Sequence, residues 1–150
     1  MTPDPLESVE RAMVAIRRSQ TRRSLARLAG AQDGPGSAFD VLDVVEAAEQ
    51  AGAPIGVSGV AAALAIDQPR ASRLVAAAVA AGLLRREADQ ADGRRGLVVR
   101  TSAGREASEE VHRFRRSVFA AAMAGWSDAD RADFARLLIR FVDGLGGVTR

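Results

Sequence analysis

Residues 57–104 read VSGVAAALAIDQPRASRLVAAAVAAGLLRREADQADGRRGLVVRTSAG, and the fold turns on how this stretch is organised. VSGVAAALAI (57–66) has the apolar spacing of a short helix, with Ser58 placed to cap it. Asp67 follows as an N-cap, and Pro69 falls in the next first turn, where a missing N–H costs nothing. That second helix runs through RASRLVAAAVAAG and stops at Gly82. Val57, Val60, Ala61 and Leu64 can pack inward, Ile66 fills the corner, and Leu74, Val75 and Val79 hold the second helix. Gly59, Ala61 and Ala65 are small enough to allow close approach. The pattern is a helix-turn-helix with Gln68, Arg70, Ser72 and Arg73 in the first turns of its second helix. There such residues reach base edges and phosphates in a major groove. An ordinary helix pair in an all-α bundle, its arginines merely solvated, would show the same pattern.

The next residues separate these alternatives. LLRREAD and GLVVRT flank residues 90–95, and LVV at 97–99 has strong β-propensity. A hairpin is expected, with Asp92-Gly93 at the turn and Arg94-Arg95 as a basic tip. A calcium loop starting at Asp89 would need oxygen ligands where Ala91 and Gly93 stand, and a closing Glu where Arg100 stands. That reading fails.

With the hairpin in place, the stretch resembles the winged helix-turn-helix core of the MarR (multiple antibiotic resistance regulator) family. The resemblance rests on the Ser72-Arg73 pair, the Gly82-Leu83-Leu84-Arg85-Arg86 segment, the Asp92-Gly93-Arg94-Arg95 wing and the helix entry Thr101-Ser102-Ala103-Gly104. Arg100 stands where that family usually has leucine, and Val79 where leucine is common. The resemblance implies an obligate homodimer whose recognition helices enter successive major grooves of a near-palindrome, with wings in the flanking minor grooves. It implies that Arg94, with Arg95 beside it, is the wing-tip DNA contact, and that Asp92 braces the wing arginines by ion pairing. Ser58 is expected at phosphate, as are Arg85 and Arg86, although these arginines and Arg95 could equally serve structural ion pairs. Small aromatic acids often bind between the arms and the DNA-binding core of such proteins, so a small aromatic ligand is one expected partner.

Outward from this core, Leu6, Val9, Met13, Ile16, Leu25 and Leu28 mark an N-terminal helix, and GAQDGPGS (30–37) a loop ending in a cap at Ser37. FDVLDVVEAAEQ forms the next helix, stopping at Gly52. Beyond the hairpin, Thr101 or Ser102 opens a long helix to about Gly125. Ser127 opens a last one, with Asp130 completing an approximate capping box. GLGGV (144–148) is read as its C-cap and tail. The expectation is one domain over 1–150, mainly α with a small β-hairpin wing. Residues 37–101 form the winged helix-turn-helix core, and 6–29 and 102–145 the dimerisation helices. Phe134, Leu137, Leu138, Phe141 and Val142 on the last helix, with Val111, Phe114, Val118 and Phe119 on the long one, are too apolar for solvent. They belong either to an intramolecular core or, as the resemblance favours, to one shared between subunits.

Composition bounds the function. Net charge is +2, but residues 68–105 carry 8 Arg against 3 acids, whereas 1–67 carry 6 Arg against 9 and 106–150 carry 7 of each. Positive charge confined to one window is the footprint of a polyanion-binding element. There is no Cys, which excludes thiol catalysis and cysteine metal sites. The opening MTPDPLESVE is polar and acidic, so no secretory signal is expected, and no apolar run approaches the roughly 18 residues of a membrane span. A cytoplasmic protein without membrane contact is the expectation. The single His112 lies in a Glu109-x-x-His112 pattern, half of a di-iron signature whose other half the chain lacks. A ligand role for His112 or Trp126 is left open. No catalytic spacing and no phosphate-binding glycine loop is present, so neither an enzyme, a cofactor nor a metal is expected. The leading expectation is a homodimeric regulator, a repressor, on pseudo-palindromic double-stranded DNA. The competitor is a helical protein-interaction module whose basic surface meets an acidic partner.

Overall fold

The computed structural model describes residues 4–28, 35–93 and 96–149. Its elements are α1 (Pro5–Leu28), α2 (Pro35–Gln50), α3 (Val57–Leu64), α4 (Gln68–Ala80), β1 (Leu84–Ala88), β2 (Gly96–Arg100), α5 (Ser102–Ala122) and α6 (Asp128–Val148). The architecture is mainly α with one antiparallel hairpin, in the element order the sequence predicts. By its internal contacts the chain forms two compact units, Met1–Ser108 and Glu109–Arg150.

The core of the first unit is built from Val41, Leu42 and Val45 of α2, Val60 and Ala61 of α3, Ala71, Val75 and Ala78 of α4, and Leu84 and Val98 of the hairpin. The three α4 residues recur at i, i+4 and i+7, the spacing that turns one helical stripe inward. Their small size lets α4 lie close to its neighbours. Asp67 caps α4 as expected, its Oδ1 accepting the Arg70 N–H at 2.7 Å. The corner before it is made by Ala65 in the left-handed region (φ 53°), after which the Ile66 N–H reaches the Ala61 carbonyl at 3.1 Å.

The hairpin register pairs Leu84 with Arg100, Arg86 with Val98 and Ala88 with Gly96. A further bond, Val98 N–H to the Ile55 carbonyl at 2.8 Å, ties β2 to the segment entering α3. The backbones come close here: a Cβ on Gly56 would lie 2.6 Å from the Gly96 oxygen, so only glycine fits. Thr101 closes the other end. Its hydroxyl donates to the Gly82 carbonyl, its N–H to the Leu83 carbonyl at 3.0 Å, and its Oγ1 accepts the Gly104 N–H at 3.0 Å. A side chain on the buried Gly104 would collide with the Leu83 carbonyl oxygen.

The structure corrects the sequence reading at three helix ends. Helix α2 begins at Pro35, ahead of the expected cap at Ser37. Helix α3 is preceded by Gly56 in extended conformation with no side-chain cap, and Ser58 lies inside the helix. The start is set there by the close approach of Gly56 to β2 rather than by a hydroxyl. Finally, GLGGV is not a tail: α6 continues through Gly144, Gly146 and Gly147 to Val148. Glycine in a helix costs only about 1 kcal/mol relative to alanine, which an unbroken hydrogen-bond ladder can absorb. Thr149 then closes the helix, its N–H and Oγ1 donating to the Leu145 carbonyl at 3.2 and 3.0 Å.

In the second unit, Ser127 caps α6 by accepting the Asp130 N–H at 3.1 Å, as the sequence predicts. Trp126 meets Phe134 edge to face, ring centroids 5.5 Å apart. Arg131 donates to the Met123 carbonyl at the end of α5 at 3.1 Å. No residue of α6 is buried, and Phe134, Leu137, Leu138, Phe141, Val142 and Leu145 are all exposed.

Candidate nucleic-acid interface

Helix α4 buries one stripe, so its opposite face is necessarily outward. Gln68, Arg70, Ser72 and Arg73 are all exposed. Among the described residues the guanidinium groups of Arg70 and Arg73 have no ion-pair partner. An arginine left unpaired keeps its planar donor fork available for guanine or phosphate. The Asp67 cap bonds only the backbone of Arg70 and leaves the side chain alone.

Ser58 stands at the start of α3, next to this face. Its Oγ accepts the Gln68 Nε2 hydrogen at 3.4 Å, a long bond that links the two helices of the turn. Ser58 and Arg86 also line one cleft of about 460 Å³ between the entry to α3 and the wing strands. Both side chains are exposed, and Val57 and Gly59 of the first turn of α3 line the same cleft. A hydroxyl and a guanidinium at a helix start suit a phosphate.

Arg85 is placed differently. It pairs with Glu87 at 3.1 Å, two residues along the same strand face, with both side chains about half exposed (56% and 46%). Such a pair contributes little, at most about 1 kcal/mol, and a phosphate can displace it. Of the two roles expected for Arg85, the structure displays the ion pair; for Arg86 it displays the open cleft.

At the wing, Asp89 starts the connection by accepting the Ala91 N–H at 2.9 Å, a local turn the sequence reading did not single out. Asp92 is exposed within residues 89–95. Arg94 and Arg95 lie outside the described residues, and so does the bracing expected of Asp92 toward them. Sequence reading marks Gly56 only as a break before a helix; it missed that Ile55 and Gly56 fix β2 against α3.

Glu109, half of the Glu-x-x-His pattern, is ion-paired with Arg116 at 2.7 Å. Among the described residues no group of three or more His, Cys, Asp or Glu is placed to hold a metal, and no helix is long and apolar enough to cross a membrane.

The MarR family model matches residues 33–95, from the start of α2 to the end of the wing loop. No curated protein matches the sequence significantly. Solved structures repeat the fold over most of the chain. A MarR family protein from Bacillus stearothermophilus superposes with a TM-score of 0.73 at 18% identity, covering 97% of this chain and 99% of its own. BpsR of Bordetella bronchiseptica, whose DNA binding is regulated by 6-hydroxynicotinic acid, gives 0.55 at 25% identity, covering 88% and 98%. A mutant of MepR from S. aureus, solved bound to an oligodeoxyribonucleotide, gives 0.57 at 18% identity, covering 95% and 99%. The family match over residues 33–95 and the fold shared with these structures make the chain similar to MarR-family proteins across its winged helix-turn-helix.

Proposed function

We propose that the chain is a sequence-specific regulator, a repressor, that binds a pseudo-palindromic double-stranded DNA site as a homodimer. The observation that carries this reading is the exposed α4 face, where Arg70 and Arg73 stand unpaired among the described residues beside Gln68 and Ser72. The four side chains would read base edges, with Ser58 and Arg86 at phosphate and Arg85 as a weaker phosphate contact. Arg94 and Arg95 would enter the flanking minor groove, held by Asp92. Residues 37–101 form the DNA-binding core in this reading, and 6–29 with 102–145 the dimerisation arms. The exposed apolar stripe of α6 supports a core completed by a second copy. A small aromatic ligand is proposed as the releasing signal, by analogy with the 6-hydroxynicotinic acid that regulates BpsR. The working compartment proposed is the cytoplasm, and the reading involves no enzymatic chemistry.

Selection from a random duplex pool is the direct test. Enrichment of an inverted repeat, with half-sites about one helical turn apart, is expected. Arg73→Ala should then weaken binding to the enriched site by about 1–3 kcal/mol and relax preference at one position of each half-site. Arg94→Ala should act mainly through the site flanks. A pool that enriches no motif at moderate salt would overturn this reading in favour of a helical module for an acidic protein partner.

A further inference from the structure

Arg100 is the last residue of β2 and lies two positions from the buried Val98, so the strand's period of two turns it to the same, inward face. A guanidinium turned inward needs partners to be tolerated, and each of its three nitrogens has one. Arg100 Nη1 donates to Glu46 Oε1 at 2.9 Å, and its Nε and Nη2 both reach Glu49 Oε2 at 2.8 Å. The Arg100 backbone N–H donates to the other oxygen of Glu49, Oε1, at 2.9 Å. The Arg100 side chain is 10% exposed, Glu46 14% and Glu49 30%. Glu46 and Glu49 are one helical turn apart on α2, so both carboxylates project from one face toward the strand end. Arg105, from the first turn of α5, closes the arrangement by donating to the Arg100 carbonyl at 3.1 Å.

We infer that Arg100 is a positioning residue for the wing: its fork, gripped by Glu46 and Glu49, fixes the direction in which the hairpin leaves the α2 face. A leucine at this place would hold the strand by apolar contact, which resists separation but tolerates sliding and rotation. A planar fork bonded to two carboxylates tolerates neither, because each bond has a narrow angular range. The strands extend from this end to Ala88 and Gly96, so a small rotation at Arg100 displaces that far end most. Arg100 itself is turned into the body and acts only through the direction it gives the wing.

The inference concerns how the wing is aimed and rests on the proposed DNA binding for its functional half. Its test therefore reads the hairpin and the DNA separately. Full-length protein carrying Arg100→Leu, Arg100→Lys, or Glu46→Gln with Glu49→Gln would be compared with the parent. The first readout is amide hydrogen exchange in β1 and β2 against α3 and α4. The second is affinity for the selected duplex with altered half-sites or altered flanks. Lysine keeps the charge but not the fork, and the double glutamine keeps size and acceptors, so these two variants remain informative if Arg100→Leu does not fold. The expected result is exchange faster by roughly tenfold in the hairpin alone, as for a locally opened segment. With it, flank discrimination falls by about tenfold while half-site discrimination stays, and lysine fails to restore either. Unchanged hairpin exchange, exchange raised equally in α3 and α4, or full rescue by lysine would overturn the inference. Hairpin loosening with flank discrimination intact would also overturn it, because the grip would then serve stability alone. A parent protein that selects no DNA defeats the proposed function instead, and the wing's fixation is then decided by the exchange data.

Discussion

In residues 35–108, helices α2, α3 and α4 each turn an apolar face onto a neighbour, and Val41, Val45, Val60 and Val75 are wholly buried. In α6 the apolar face is as rich but stays largely exposed among the described residues: Leu137 is 50% exposed, Val142 56% and Leu145 45%. At about 25 cal/mol per Å² of apolar surface, the first region gains much stability from burial among the described residues, whereas the α6 stripe leaves about half of that gain unrealised there. Residues of the same type thus serve different ends. In the body they close a core, and on α6 they form a surface whose natural occupant, in the reading proposed above, is a second copy.

The sharpest way to break this comparison is to charge the outward stripe. Leu138→Asp together with Phe141→Asp is expected to convert the proposed dimer into monomer, since an unpaired buried charge costs roughly 3–5 kcal/mol per site. Analytical ultracentrifugation reads this directly, and an unchanged mass would show that the stripe is not shared. Within the body, Leu42→Ala should destabilise by about 3 kcal/mol through transfer loss and cavity formation. Denaturant melts check the value, and a loss under 1 kcal/mol would mean the body is not the self-sufficient core described. Asp67→Ala removes a cap whose bond is formed wholly inside the body; about 1 kcal/mol is expected, again by denaturant melt, and independent of protein concentration.

The smallest effect separates the two faces of α6. Gly147 shares a helical face with Arg136, Arg140 and Asp143, whereas Gly144 falls on the stripe with Leu137, Phe141 and Val148. Among the described residues, nothing lies within 4 Å of a Cβ at either position. Gly147→Ala should therefore gain a few tenths of a kcal/mol, up to about 0.5, with association unchanged. Gly144→Ala should weaken association if the stripe is a packed seam, and equal behaviour of the two variants in a concentration series would count against it.

Much of the body could be read from local chemistry. Asp67, Pro69 and Ser127 act over a few residues, so the starts of α4 and α6 are where the sequence places them. The wing strands follow from the stop at Gly82 and the β-propensity of Leu97, Val98 and Val99. The exposure of Gln68, Arg70, Ser72 and Arg73 on α4 was equally legible, because burying one stripe of a helix exposes the other. What could not be read depends on distant partners. Arg100 looked like a break in an apolar pattern because Glu46 and Glu49 lie more than 50 positions earlier; the Arg100–Glu49 bond spans 51. Ile55 gives no sign in its own segment that its carbonyl will receive Val98. The end of α6 was misjudged because three glycines locally signal a stop, although the helical ladder persists through them.

The bond from Val98 to Ile55 has a consequence for how the chain tolerates change in length. The hairpin is anchored to the body at Ile55 on one side and at Thr101 on the other, so its seat does not depend on the length of the connection between β1 and β2. Residues added or removed there would lengthen or shorten the finger without disturbing the palm. One residue inserted between Gly52 and Val57 would slide Ile55 out of register with Val98 and push Gly56 off Gly96, dislocating the wing from its helix. The reach of the wing is thus free to drift, while its seat is not.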